Sequence, residues 1–314
     1  MRAQSTGEAP DRVVVAFDAG WQPEKLLTLA AAEALRRRQA LSIVTLVHTP
    51  ADDAPTPTDE NRWTGPGAVS IRLARIGDDL AQHFPTLPVA THCLDYRDVA
   101  PGQPVLSRAS LLVIGARDLH GHLAFAPDSA SNRFLAAMGC PVLTLTEAAL
   151  AREPRLGVGQ IVAALSGEAS DSGVGEIAAR EALRRDDGLH VVHSLADSDE
   201  PLGRAAVRGL DAVAASIPAL PAQTESGGVV DITLTREPAV GCLLRASRTA
   251  HLIVLGSRAG SLTGAVMGSV SRTVVASAQC PVLVVRAEDA LLQEQALTRS
   301  IRRSPRPAAS TPTR

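Results

Sequence analysis

The chain has 314 residues, 45% of them hydrophobic, and a formal net charge of −2, which suits two domains of ordinary size and gives no general attraction to nucleic acid or membranes. Lys25 is the only lysine, so a P-loop is excluded and Schiff-base chemistry has a single candidate. Aromatic residues make up only 2%, and Cys93, Cys140, Cys242 and Cys280 form no C-x-x-C pair, which argues against nucleic-acid stacking platforms and the common zinc or dithiol motifs. With no signal peptide and no apolar run of about 18 residues, the chain reads as cytoplasmic, with reduced cysteines.

In chain order, residues 1–10 have no pattern and read as a flexible start. Val13 to Phe17 is a short apolar run, the mark of a strand buried on both faces. A helix follows in "PEKLLTLAAAEALRRRQ", with Pro23 in its first turn and arginines in its last. Then come a strand at Leu41 to Val47, a helix at Gly65 to His83 and a strand at Val89 to Leu94. Pro101 and Pro104 keep the next crossover short. Leu111 to Ile114 is the fourth strand; a helix from Ser129 leads to the closing strand, Val142 to Leu145. The order then repeats: strand Ile161 to Leu165, helix Gly175 to Arg185, strand Leu189 to His193 and helix Pro201 to Ile217. Strand Val229 to Thr235, helix Val240 to Ser247, strand Leu252 to Leu255, a helix from Ser269 and strand Val282 to Val285 complete it. The tail 290–314, rich in Arg, Pro and Ser, has little to bury and reads as disordered.

The second set of elements copies the first. "LLVIGAR" at Leu111 returns as "LIVLGSR" at Leu252, and "CPVLTL" at Cys140 as "CPVLVV" at Cys280. "EALRRR" at Glu33 returns as "EALRRD" at Glu181, and "VTLVH" ending at His48 as "HVVH" ending at His193. The seam falls within Glu147 to Pro154, giving domains at 11–149 and 150–289. Strands alternating with helices imply an α/β fold: two tandem Rossmann-like domains, each with a five-stranded parallel sheet flanked by helices.

Ligands of such sheets bind beyond the carboxyl ends of strands, where strand order reverses. "GSRAGSLTGAVMGSVS", Gly256 to Ser271, leaves the strand at Leu252 to Leu255 and enters the helix near Ser269. The unpaired amides at that helix start favour an anion. Gly268 would let a phosphate approach, Ser269, Val270 and Ser271 would present amides and hydroxyls, and Gly256, Gly260 and Gly264 would let the loop fold over. The same composition also makes ordinary strand-to-helix turns, so both readings stay open.

These residues resemble the universal stress protein family, and the whole chain resembles a tandem member. The resemblance rests on "LIVLGSR", "GAVMGSVS" and "CPVLVVR". Nucleotide-binding members carry G-x2-G-x9-G-[ST] here; this chain has Gly256, then Ala259 or Gly260, then Gly268-Ser269, one residue short. The first copy keeps the spacing but places Asp118 and Asp128 where glycines belong, and Asp128 would cap the helix and repel a phosphate. It does retain Asp18, the acid that the family's binders place after strand one. The second copy has Ser166 instead, which offers a hydrogen bond to a ribose or phosphate. The resemblance also implies that the two halves pair through their closing strands, Val142 to Leu145 beside Val282 to Val285, with a homodimer a further possibility.

Other candidates have plainer readings. His120 and His122 read as a solvated loop and His48 and His193 as structural. Asp52-Asp53 and Asp186-Asp187 read as solvated turns, and Cys140 and Cys280 as small buried thiols. No catalytic set, G-x-S-x-G elbow or G-x-G-x-x-G fingerprint is present. The expectation is a stress-response protein whose second half binds ATP, or AMP or cyclic AMP, as a sensor or switch through Gly256, Gly260, Gly268, Ser269, Val270, Ser271 and Ser166. The alternatives are a degenerate tandem module serving assembly and protein-partner binding without nucleotide, and slow ATP hydrolysis.

Overall fold

The computed structural model describes residues 11–18, 24–47, 66–95, 103, 105–106, 108–115, 139–152, 159–166, 171–196, 204, 207, 210–211, 214, 230–257 and 268–286. In the first half, β1 (Arg12–Asp18), α1 (Glu24–Arg37), β2 (Ala40–Val47), α2 (Pro66–His83), β3 (Val89–Asp95), β4 (Ala109–Gly115) and β5 (Val142–Leu145) follow in order. A short helix, α3 (Glu147–Ala151), occupies the seam. The second half holds β6 (Gln160–Leu165), α4 (Asp171–Arg185), β7 (Gly188–Ser194), β8 (Val230–Thr235), α5 (Ala239–Ala246), β9 (Leu252–Ser257), α6 (Ser269–Ser277) and β10 (Val282–Arg286). Arg204, Val207, Leu210, Asp211 and Ala214, within the expected helix 201–217, are helical.

The ten strands among the described residues join one sheet in the order β3-β2-β1-β4-β5-β10-β9-β6-β7-β8. Every neighbouring pair is parallel except β5 and β10, which are antiparallel, with Val282 opposite Thr144, Leu283 opposite Leu143 and Val284 opposite Val142. The expected pairing of closing strands is therefore present, and it removes two open sheet edges at once. Alternation along the strands feeds two cores. Val13, Val15, Leu111, Leu143, Ile161 and Leu283 pack under α1, α2 and α4. Val14, Leu112, Val142, Ile253, Leu255 and Val284 face the other side, covered in the second half by Leu243 of α5 and Val274 and Val275 of α6.

Side chains reinforce the junction. Thr144 donates to the Val282 carbonyl at 3.1 Å. Thr146 accepts the Ala149 amide as N-cap of α3 and donates its own proton to the Ala278 carbonyl at 2.6 Å. Just after α3, the Arg152 guanidinium donates to the carbonyls of Ser247, Arg248 and Gln279. It thereby satisfies carbonyls just past the ends of α5 and α6.

The repeated "EALRR" motif acquires a physical meaning here. α1 and α4 meet at their last turns, and each motif answers the other. Arg37 pairs with Glu181 at 2.6 Å and Arg185 with Glu33 at 2.6 Å; within each helix, Glu33 holds Arg36 and Glu181 holds Arg184 and Arg185. Glu33 and Glu181 are 2% and 1% exposed. Both helices then end alike, on a residue with left-handed backbone: Arg38 and Asp186, each at φ 54°. In each case the following amide reaches back to the carbonyl of Ala34 or Ala182, the hydrogen bonding of a Schellman ending without its usual glycine.

Burial alone would raise the Glu181 pKa, but Arg37, Arg185 and Arg184, with the hydrogen bond from Arg185, outweigh it and hold the carboxyl at about 2. A carboxyl depressed on folding stabilises the fold above its unfolded value and loses that contribution as pH falls. Stability should therefore decline between the ordinary value of 4.5 and about 2, and chemical denaturation across that window checks it. Glu181→Gln should cost about 3–5 kcal/mol, because it leaves buried guanidinium groups uncompensated, and should flatten that acid limb.

Candidate nucleotide site

Strand order reverses in the second half between β6 and β9, since the chain runs outward from β6 to β7 and β8 before returning to β9. Ala164 lies opposite Leu255. Continuing that register by two residues brings Ser166, just past β6, level with Ser257 at the end of β9. Two helices converge on this mouth. A Cβ placed on Gly256 would lie 3.2 Å from Val174 Cγ2 of α4. From α6, the Ser271 hydroxyl donates to the Gly256 carbonyl at 2.9 Å.

Among the described residues the start of α6 is open. Its N-cap, Gly268, is extended at φ −67°, ψ 170°, with no side-chain capping bond. A Cβ added there would meet nothing within 4 Å, so among the described residues neither backbone conformation nor internal packing demands glycine at this place. The residue leaves room before the amides of Ser269, Val270 and Ser271, as an anion approaching the helix requires. Ser257 adds a second feature: it is 6% exposed, and its hydroxyl has no hydrogen-bond partner among the described residues. A buried polar group left in that state costs about 1–3 kcal/mol. Alternation along β9 turns its side chain toward the α6 face, the side of Leu255.

The opposite wall is acidic. Ser166 donates to the Asp171 carboxylate, 3.2 Å from each oxygen. Asp171 is 5% exposed and opens α4. It stands three residues before Val174, on the same helix face, which places it above Gly256 at the mouth. The sequence expectation starts this helix at Gly175, and Gly173 and Gly175 do weaken its first turn. The burial of Val174, Ile177 and Ala178 overrides that propensity and extends the helix back to Asp171. The second half therefore has a carboxylate at its mouth, contrary to the expectation drawn from Ser166 alone.

Other expectations are corrected. Ser271 does not present its hydroxyl proton to a ligand, because that proton goes to Gly256. Gly256 does not serve the loop's flexibility: it lies within β9, opposite Val285, and is small because Val174 packs there. Asp187 is not a solvated turn acid. It is 3% exposed, accepts the Gly159 amide at 2.7 Å and meets His251 Nδ1 at 3.0 Å. The same chain places in the first half hold Gln39 and Ser110, also bonded to each other, so both copies tie the amino ends of their strands together here. His193 is buried, and its Nδ1 donates to the Leu165 carbonyl at 2.9 Å. Cys140 and Cys280 are buried free thiols.

Gly260 and Gly264 of the expected loop lie outside the described residues. So do Asp118, Asp128, His48, His120, His122, Asp52, Asp53, residues 1–10 and the tail 290–314. Asp18 is the last residue of β1. The signal for Ser257 was present in the sequence: a hydroxyl at the end of the apolar run "LIVLGS" must either find a partner or wait for one. Asp171 is expected to hold the start of α4. Gly268→Asp fits the open space at α6 and should raise stability by about 0.5 kcal/mol, through capping and a stiffer unfolded chain, as thermal denaturation would show.

Among the described residues no helix is long and apolar enough to cross a membrane. No curated protein matches the chain. Among solved structures, a universal stress protein from Archaeoglobus fulgidus DSM 4304 is 14% identical, covering 88% of this chain and 96% of its own, with TM-score 0.58. A putative universal stress protein from Pseudomonas aeruginosa UCBPP-PA14 is 16% identical, covering 93% and 98%, with TM-score 0.53. A universal stress protein in complex with cAMP covers 42% of this chain and 99% of its own, at 18% identity and TM-score 0.32. The Universal stress protein family matches twice, at residues 10–145 and 158–286, and the chain belongs to that family as a tandem of two of its domains.

Proposed function

We propose that the second half, residues 150–289, binds an adenine nucleotide, ATP first and AMP or cyclic AMP as alternatives, and that the protein acts as a nucleotide sensor or switch. The observation that carries this reading is the start of α6, where among the described residues Gly268 has no side-chain cap and leaves open space before the first helical amides. Family membership supports it, and so does the position at a strand-order reversal, where open α/β sheets take their ligands. Gly268, Ser269, Val270 and Ser271 contribute backbone amides to the phosphates; Gly256 and Gly260 complete the expected phosphate cradle, and Ser166 stands at the opposite wall. In the first half, residues 11–149, the sequence has Asp128 at the position that matches Gly268, and a carboxylate there would compete with a phosphate for backbone amides. That half serves as the structural partner.

One observation favours the second reading, a tandem module that binds protein partners without nucleotide: the Ser271 hydroxyl is already taken up inside the fold. Calorimetry separates the two. The native chain should bind ATP, AMP or cyclic AMP, and Gly268→Asp should abolish that binding while keeping the fold. A native chain that binds none of the three at millimolar concentration would sink the sensor reading.

A further inference from the structure

We propose that the mouth between β6 and β9 sorts the two ends of its ligand by charge: Ser257 adds a hydroxyl donor for the phosphate on the α6 side, and the Ser166–Asp171 pair accepts sugar hydroxyls on the α4 side. The inference rests on the nucleotide reading and specifies how that ligand lies.

Two helix starts flank Gly256, and they are opposite in character. α4 opens on the buried carboxylate of Asp171, bridged to Ser166. That arrangement accepts hydrogen bonds and repels a phosphate, so this wall suits the neutral hydroxyl groups of a nucleoside. α6 opens on a glycine with no capping side chain. The N-cap itself brings no acid, and the amides there favour negative charge. The hydroxyl of Ser257 is the independent observation on this side. It is buried and unpartnered among the described residues, so it carries an uncompensated desolvation cost in the free protein. A phosphate oxygen brought to the start of α6 would remove that cost by accepting its proton. The Ser271 hydroxyl does not compete for this role, because its proton goes to the Gly256 carbonyl.

The mouth is thus matched to a nucleoside phosphate lying with its phosphate against α6 and Ser257, and its sugar toward Asp171. Removing the Ser257 hydroxyl has a double signature that a purely structural serine would not give. It should weaken phosphate binding and, by deleting an unsatisfied buried group, raise the melting temperature of the free protein.

The test uses the full chain, with ATP and adenosine as calorimetric probes and thermal denaturation as control. Ser257→Ala should weaken ATP about tenfold, the loss of one hydrogen bond to a charged group. It should leave adenosine unchanged, with a Tm at or above the native value. Asp171→Asn should weaken ATP and adenosine by similar factors. If the native chain binds ATP and Ser257→Ala binds it equally well, or melts lower, the sorting proposal is overturned while the nucleotide reading stands. Undiminished adenosine binding by Asp171→Asn would overturn the sorting proposal in the same way. If the native chain binds neither probe, both fall together.

Discussion

The antiparallel contact between β5 and β10 is the constraint on which the rest of the molecule depends. A five-stranded parallel sheet ends on a closing strand with unpaired amides and carbonyls. Two such sheets can hide that edge against each other, and an antiparallel join does so with the two copies facing about an approximate twofold axis. Once β5 meets β10, the helices above them have little freedom left. The carboxyl ends of α1 and α4 are brought together on one face, and the end of α6 comes within hydrogen-bond reach of Thr146. Thr146 and Arg152 then use the short seam between the halves to close what the join leaves open.

The carboxylate and guanidinium groups over that join are a consequence of the symmetry and also a guard on it. Desolvating two glutamates and the arginines around them is expensive, and apolar residues of similar shape often do as well. What the charges add is register. Each glutamate has partners in its own helix, but Glu33 gains Arg185 and Glu181 gains Arg37 only in this register, so sliding one half by a helical turn breaks both cross-helix pairs. The same motif read at Glu33 and at Glu181 is therefore two halves of one contact.

Much of this fold was legible in the sequence, because it is written in local patterns. Short apolar runs mark strands covered on both faces, "CPVL" marks the closing strands, and the repeat predicts that the two halves share one topology. The features of the site that were not legible depend on what a residue meets from elsewhere in the chain. Asp171 lies in a stretch weakened by Gly173 and Gly175, and only the burial of Val174 and Ile177 against the sheet draws it into a helix. Asp187 looks like an ordinary turn acid until Gly159 and His251 are brought beside it from two other strands. Ser271 matches a phosphate motif by composition, and the nearness of the Gly256 carbonyl redirects its proton. Local composition proposes donors; the tertiary fold decides which of them are still available.

The seam helix Glu147–Ala151, with Thr146 at its start, has one more implication. Two copies made as separate chains would assemble at a rate and extent set by their concentration, and every substitution would appear in both. Joined through so short a connection, the halves meet at a high effective concentration that dilution does not change. The genetic symmetry is also broken: one copy can hold Asp128 where the other holds Gly268. Covalent linkage thus permits a division of labour, in which one half can specialise as scaffold while the other keeps an open mouth.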